Sequence, residues 1–120
     1  MDCIFCNITE RVYENDLAFA IWDRFPVNEG HMLIIPKRHI QSLFETTELE
    51  RQALFGLLEV CREFLQSKYQ PDGLNIGIND GTAAGQTIMH LHIHLIPRCF
   101  GDVENSRGGV RGVIPEKRVY

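Results

Sequence analysis

The 120-residue chain has no apolar run long enough to span a bilayer. It also lacks an excess of positive charge. Twelve Lys and Arg stand against 16 Asp and Glu, a formal net charge of -4, so electrostatics give no reason to expect a nucleic-acid polymer or a membrane as partner. No segment repeats, none is of low complexity, and none reads as a linker. The first residues, Met1-Asp2-Cys3-Ile4-Phe5-Cys6, lack the charged-then-apolar order of a secretory leader, and a cytoplasmic location is the expectation. A second C-x-x-C is missing too. Cys3 and Cys6 form one such pair, while Cys61 and Cys99 stand alone. In a cytosolic protein a C-x-x-C pair reads as metal or redox chemistry, not as a structural disulfide.

What remains is ordinary for one small globular domain: 44% hydrophobic and 23% charged residues. Leu17 to Asp23 suits a strand buried on both faces. His31 to Pro36 suits a second strand, with a long turn between them. Thr47 to Tyr69 is the clearest helix. Thr47 and Glu50 make a capping-box pair, and Leu54, Leu57, Leu58, Cys61, Phe64 and Leu65 recur at helical spacing. Gln70-Pro71-Asp72-Gly73 ends it. Leu74 to Asn79 alternates as a strand with Leu74, Ile76 and Ile78 on one face. A small-residue loop, Asp80 to Gln86, leads into His90-Leu91-His92-Ile93-His94-Leu95-Ile96, which Pro97 closes. Strands, one long helix and strands again predict an α+β fold, an antiparallel sheet with a helix on one side. The chain reads as one domain, 1–120, with a core at 1–98 and a Gly- and Arg-rich tail at 99–120, extended or loop-like.

Histidine is scarce, five residues in all, and three of them alternate. On a strand, His90, His92 and His94 share one face and Leu91, Ile93 and Leu95 the other. Imidazoles exchange protons near neutral pH and attack electrophiles. The loop Gly85-Gln86-Thr87 beside them offers backbone N–H groups suited to phosphate. Two other readings stand beside this one: solvated surface histidines, and a metal site built from the triad itself. At the N-terminus, Cys3 and Cys6 make half a zinc site, whose other ligands must be histidines from elsewhere. The alternative is a reduced, unliganded pair. Cys61 lies on the helix's apolar stripe and reads as core. Cys99 receives no role.

The segment Gly85 to Arg98 resembles the signature of the histidine triad (HIT) family, three histidines alternating with apolar residues. The likeness extends from Cys3 to about Arg98 through Gly30-His31, Pro36-Lys37-Arg38-His39-Ile40 and Asn79-Asp80-Gly81. It implies a HIT-like fold, an antiparallel sheet of about five strands with one long helix, and sheets joined in a homodimer. It implies a nucleotide hydrolase or transferase that needs no catalytic metal and works through a nucleotidyl-histidine. His92 would be the nucleophile, His94 would serve the leaving group, His90 would position His92 through its backbone carbonyl, and His31 would complete the cluster. Asn79, Gln86 and Thr87 match phosphate-contacting positions, and Asp23 a ribose-holding one. Phe5, Phe19, Ile21 and Trp22 are candidates for the base pocket, and read equally well as core. The resemblance to members with an N-terminal C-x-x-C implies a structural zinc on Cys3, Cys6, His39 and His90. Arg107 and Arg111 suit the extra phosphates of a longer substrate, or form a solvated basic tail. Ile96-Pro97-Arg98 resembles the branch that cleaves dinucleoside polyphosphates such as diadenosine tetraphosphate. A purine nucleoside phosphoramidase and a nucleotide-binding regulatory module are the alternatives.

Overall fold

Alternation along the strands sets the layers of the molecule. The computed structural model describes residues 2–120. Its strands are β1 (Tyr13–Glu14), β2 (Ala18–Trp22), β3 (Met32–Pro36), β4 (Gly73–Gly77) and β5 (Ile93–Arg98), with one helix, α1 (Glu48–Lys68). They form one antiparallel sheet in the order β1-β2-β3-β5-β4. Ala18, Ala20, Met32, Ile34, Ile93 and Leu95 point to the helix and pack on Leu54, Leu57, Cys61 and Leu65. Burial of each large apolar residue stabilises the fold by about 2 kcal/mol. Phe19, Ile21, Leu33 and Ile35 point the other way, where Phe5, Cys3 and Ile8 of the N-terminal segment cover them.

The helix starts as its sequence predicts. Thr47 Oγ1 accepts from Glu50 N–H at 3.1 Å, and Glu50 Oε1 accepts from Thr47 N–H at 2.8 Å. Glu50 is also buried, and Arg38 grips it through Nε and Nη2 at 2.9 and 2.8 Å. That pairing, aided by Thr47, holds the Glu50 carboxyl down at about 2. Gly30, at φ +89°, lets the turn before β3 approach the helix end; a Cβ there would meet the Tyr69 ring at 3.0 Å.

Several boundaries differ from those expected. The short β1 has no mark in the sequence, because two residues carry no alternation. At the ends of the Leu17–Asp23 strand, Leu17 and Trp22 are partly exposed. The histidine run is not all strand: β5 begins at Ile93. Extending the β3 ladder past Ile34–Ile93 would bring in Pro36, which has no N–H to give. The Pro36 carbonyl instead accepts from His90 Nε2, and Leu91 N–H bonds to Ile40 O. At the other end, β5 continues through Pro97 to Arg98, opposite Leu74 and Gly73. The Pro97 carbonyl accepts from Asn28 Nδ2 at 3.0 Å, so its missing N–H lies on the side where the β3 ladder has already ended. β4 stops at Gly77; Leu74 and Ile78 join the core while Ile76 is 48% exposed on the edge strand. The tail is not extended. It forms 3₁₀ turns at Gly109–Val113 and Pro115–Lys117. Gly108, at φ +91°, sits where any Cβ would collide with the Arg118 carbonyl.

Candidate active site and metal centre

The three alternating histidines share the face opposite the helix but have different surroundings. His92 Nδ1 lies 2.9 Å from the His90 carbonyl. A carbonyl only accepts, so Nδ1 carries the proton and Nε2 keeps its lone pair. The His92 ring meets Phe5 and His94 edge-on, both at 5.1 Å between centroids. His94 Nδ1 lies 2.9 Å from His31 Nε2, and His31 Nε2 lies 3.2 Å from Asp23 Oδ2. Val27 N–H donates to His31 Nδ1 at 3.0 Å. His31 therefore bears its proton on Nε2 and donates toward His94 and Asp23. His94 Nδ1 accepts, which leaves the His94 proton on Nε2. One imidazole of the neighbouring pair thus offers a lone pair and the other an N–H.

Burial, reinforced by His92 and His31 nearby, pushes His94 down to about 4. Burial also lowers His31, against the pull of Asp23. Both rings are neutral donors and acceptors near pH 7. Asp23, His31 and His94 bring three ligand-type atoms together. The Val27 N–H occupies the nitrogen that would need the proton if His31 Nε2 bound a metal, so the trio is a hydrogen-bond chain.

A second cluster has the opposite character. His90 is fully buried, and its Nε2–H donates to Pro36 O at 2.8 Å. The bare Nδ1 is left facing Cys3 Sγ at 3.3 Å, Cys6 Sγ at 3.5 Å and His39 Nδ1 at 3.1 Å. Cys6 Sγ lies 3.2 Å from His39 Nδ1, and all four donor atoms fall within 4.8 Å of one another. Donors held tetrahedrally at zinc–ligand lengths sit roughly 3.3 to 3.8 Å apart, so this donor set fits zinc. The carbonyl behind His90 is the kind of partner that fixes a ligand's tautomer.

The catalytic-type histidines open onto a cleft of about 1400 Å³. His31, His92, His94, Asp23, Asn79 and Thr87 all line it. Phe5, Ile8, Ile21, Leu33 and Ile88 form an apolar stretch of the same wall. Of the base-pocket candidates, Phe5, Ile21 and Trp22 reach the cleft, whereas Phe19 is buried in the layer beneath the N-terminal segment. Gln86 does not reach it. Its amide is spent inside the loop, accepting from Gly81 N–H and donating to Gln41 O and Ile88 O. Those bonds brace the loop that carries Gly85 and Thr87. The alternation of β3 was the available signal for Leu33. Ile8 and Ile88 lie in irregular backbone, where no periodicity marks them.

Arg98 does not line the cleft. It makes a two-pronged pair with Asp102 at 2.8 Å on each prong and donates to Asn75 Oδ1 at 2.6 Å. That pairing, with the Cys99 N–H, holds the Asp102 carboxyl well below the usual range. Arg107 and Arg111 stack on the Tyr120 ring, 5.2 and 4.6 Å from its centroid, and do not line the cleft. Cys61 is buried and its thiol pushed up to about 11, an inert core group.

Comparison with known proteins agrees with this geometry. A sequence model of the HIT domain matches residues 7–101. The chain belongs to the HIT domain family. Its relatives include an adenylylsulfatase of Arabidopsis thaliana, 38% identical over 81% of this chain and 52% of the relative. An AP-4-A phosphorylase of Mycobacterium tuberculosis is 34% identical over 76% of this chain and 47% of its own length. A bis(5'-adenosyl)-triphosphatase of Saccharomyces cerevisiae is 38% identical over 76% and 45%. The protein thus spans about half the length of these three relatives. A HIT-family crystal structure from Bacillus subtilis superposes with a TM-score of 0.80 at 30% identity, over 98% of this chain and 89% of that one. A zinc-bound histidine triad protein from Mycobacterium smegmatis superposes at 0.77 and 33% identity, over 87% and 80%. The HIT-like α+β fold, with one helix on a five-stranded antiparallel sheet, is therefore shared with solved structures.

Proposed function

We propose that this HIT-domain protein is a nucleotide hydrolase or transferase that cleaves at an α-phosphate through a nucleotidyl-histidine on His92, with dinucleoside polyphosphates as its substrate class. The observation that carries the reading is the pair of opposed tautomers: a bare Nε2 on His92 beside an N–H on His94. The His92 Nε2 lone pair attacks the α-phosphorus. The N–P bond forms as the P–O bond to the leaving phosphate breaks, and the electron pair departs with that oxygen. His94 Nε2–H donates a hydrogen bond to it. The charge gained by the His92 ring is shared through Nδ1–H with the His90 carbonyl. Water then attacks the phosphorus and gives its proton to solvent, and the N–P electrons return to Nε2. His31 holds His94 in the donating tautomer. Asn79 and Thr87 face the phosphates, and Asp23 serves the ribose hydroxyls.

The adenylylsulfatase, phosphorylase and triphosphatase among the relatives support nucleotide cleavage of this kind. Zinc on Cys3, Cys6, His39 and His90 is structural in this reading, pinning the N-terminal segment and Phe5 against the triad; a zinc-bound relative supports it. A homodimer through the β4 edge is part of the same reading, supported by that strand's unpaired side and its exposed Ile76. A side-by-side assay of diadenosine tetraphosphate and an adenosine phosphoramidate tests the substrate class. Faster turnover of the first is expected; exclusive turnover of the second moves the protein to the phosphoramidases.

A further inference from the structure

Arg11 is a cleft residue to which neither the triad chemistry nor the zinc centre gives a task. It precedes β1, and its guanidinium lies over the Phe19 ring, 4.3 Å from the centroid. Nη1 donates to Glu14 Oε2 at 3.0 Å. Nε is buried and, among the described residues, has no hydrogen-bond partner. A guanidinium carries five N–H donors, and a buried donor left without an acceptor is costly enough to call for an explanation. The Phe19 ring supplies a π face but no lone pair.

Position narrows the explanation. Along the face of β2 opposite the helix, Asp23 stands next to His31 at the histidine end, Ile21 is in the middle on the cleft wall, and Arg11, lying over the buried Phe19, closes the far end. Asp23 and Phe19 are about 13 Å apart along the strand. A nucleotide with its phosphate at His92 and its ribose at Asp23 lays its base on Ile21, Leu33 and Ile8. Its outer edge then faces Arg11, and its phosphates lie at the opposite end. Arg11 is thus too far from the reacting phosphorus to serve it, and well placed for the base.

Resting on the nucleotide reading above, we infer that Arg11 reads the base edge and selects a purine with a carbonyl at position 6 over adenine. A guanidinium donates and never accepts. It matches the O6 and N7 acceptors of guanine with two parallel bonds, and meets a donor in the adenine amino group. Glu10, the neighbouring carboxylate on the cleft, is exposed to solvent, and an exposed acceptor discriminates little.

Titration calorimetry with mononucleotides tests this without depending on turnover. GMP is expected to bind about tenfold tighter than AMP, the usual scale for a hydrogen bond to a charged group. IMP, which keeps O6 and N7, is expected to follow GMP, and 7-deaza-GMP to lose most of the advantage. These comparisons use the unaltered protein and stand even if a variant folds poorly. In Arg11→Met the GMP-to-AMP ratio is expected to fall to about one. Equal binding of GMP and AMP by the unaltered protein overturns the inference, as does IMP behaving like AMP or a ratio unmoved in folded Arg11→Met. With equal binding the nucleotide reading survives; binding of none of the four overturns that reading and this inference with it.

Discussion

In the proposed mechanism His31 acts through another residue. Its Nδ1 is committed to Val27, so its one proton points at His94 and Asp23. Replacing it by Ala frees the His94 ring to adopt the other tautomer. The expected result is a fall in kcat of roughly tenfold to a hundredfold with KM little changed; steady-state kinetics showing an unchanged kcat would contradict the relay. The same ring makes a pH prediction. His94 falls from an ordinary 6.5 to about 4 in the folded protein, so between those values the unfolded state binds the proton that the folded one refuses. Stability is fully present above pH 6.5 and declines as pH drops toward 4, by about 3 kcal/mol for this group. Burial lowers His31 in the same direction. Urea midpoints across that range check it, and a flat profile contradicts the neutral assignment. The residue types of this site are readable in the sequence because five histidines are few and three alternate. The tautomers are not, since they depend on the Val27 amide and the Pro36 and His90 carbonyls, groups brought to the imidazoles only by folding.

Among the elements, the helix is the most legible. Its stripe, its capping box and the Pro-Gly stop all agree with Glu48–Lys68. The buried pairing of Glu50 with Arg38 is not legible, because nothing local distinguishes a capping glutamate from one that also holds an arginine. It has a consequence: Thr47→Ala is expected to cost about 1 kcal/mol, and Glu50→Gln more, since Arg38 loses its partner as well. Chemical denaturation checks the order. Pro36 ends β3 as the sequence predicts, whereas Pro97 reads as a strand stop yet lies inside β5; both sit where the missing N–H faces no ladder partner. Both ends of the histidine strand shift for that one physical reason. The three histidines still gather on one side although the chain bends at His90, since Phe5 touches His90 and His92, and His92 touches His94.

At the scale of the whole molecule, the Cys3, Cys6, His39 and His90 cluster proposed to hold zinc shares a wall with the cleft. Phe5, carried between Cys3 and Cys6, touches both His90 and His92. Chelation, or Cys3→Ser, is therefore expected to lower the melting temperature and to loosen the cleft together; metal analysis finding no zinc, with Cys3→Ser as stable as the parent, removes the centre. The exposed β4 edge gives another expectation. Sedimentation is expected to show twice the 13.8 kDa protomer mass, and Ile76→Lys to shift it toward the monomer; a parent protein that sediments as a monomer contradicts the dimer. The tail resists reading because its order comes from Arg111 and Arg118 capping carbonyls within the tail itself, a pattern with no periodicity.

The account turns on His92, and rapid quench followed by mass spectrometry of the digested protein tests it most directly. With diadenosine tetraphosphate as substrate, the peptide containing His92 is expected to gain one nucleoside monophosphate, labile to acid, and His92→Ala is expected to show neither the adduct nor turnover. Turnover retained in His92→Ala, or an adduct on any other residue, would contradict it.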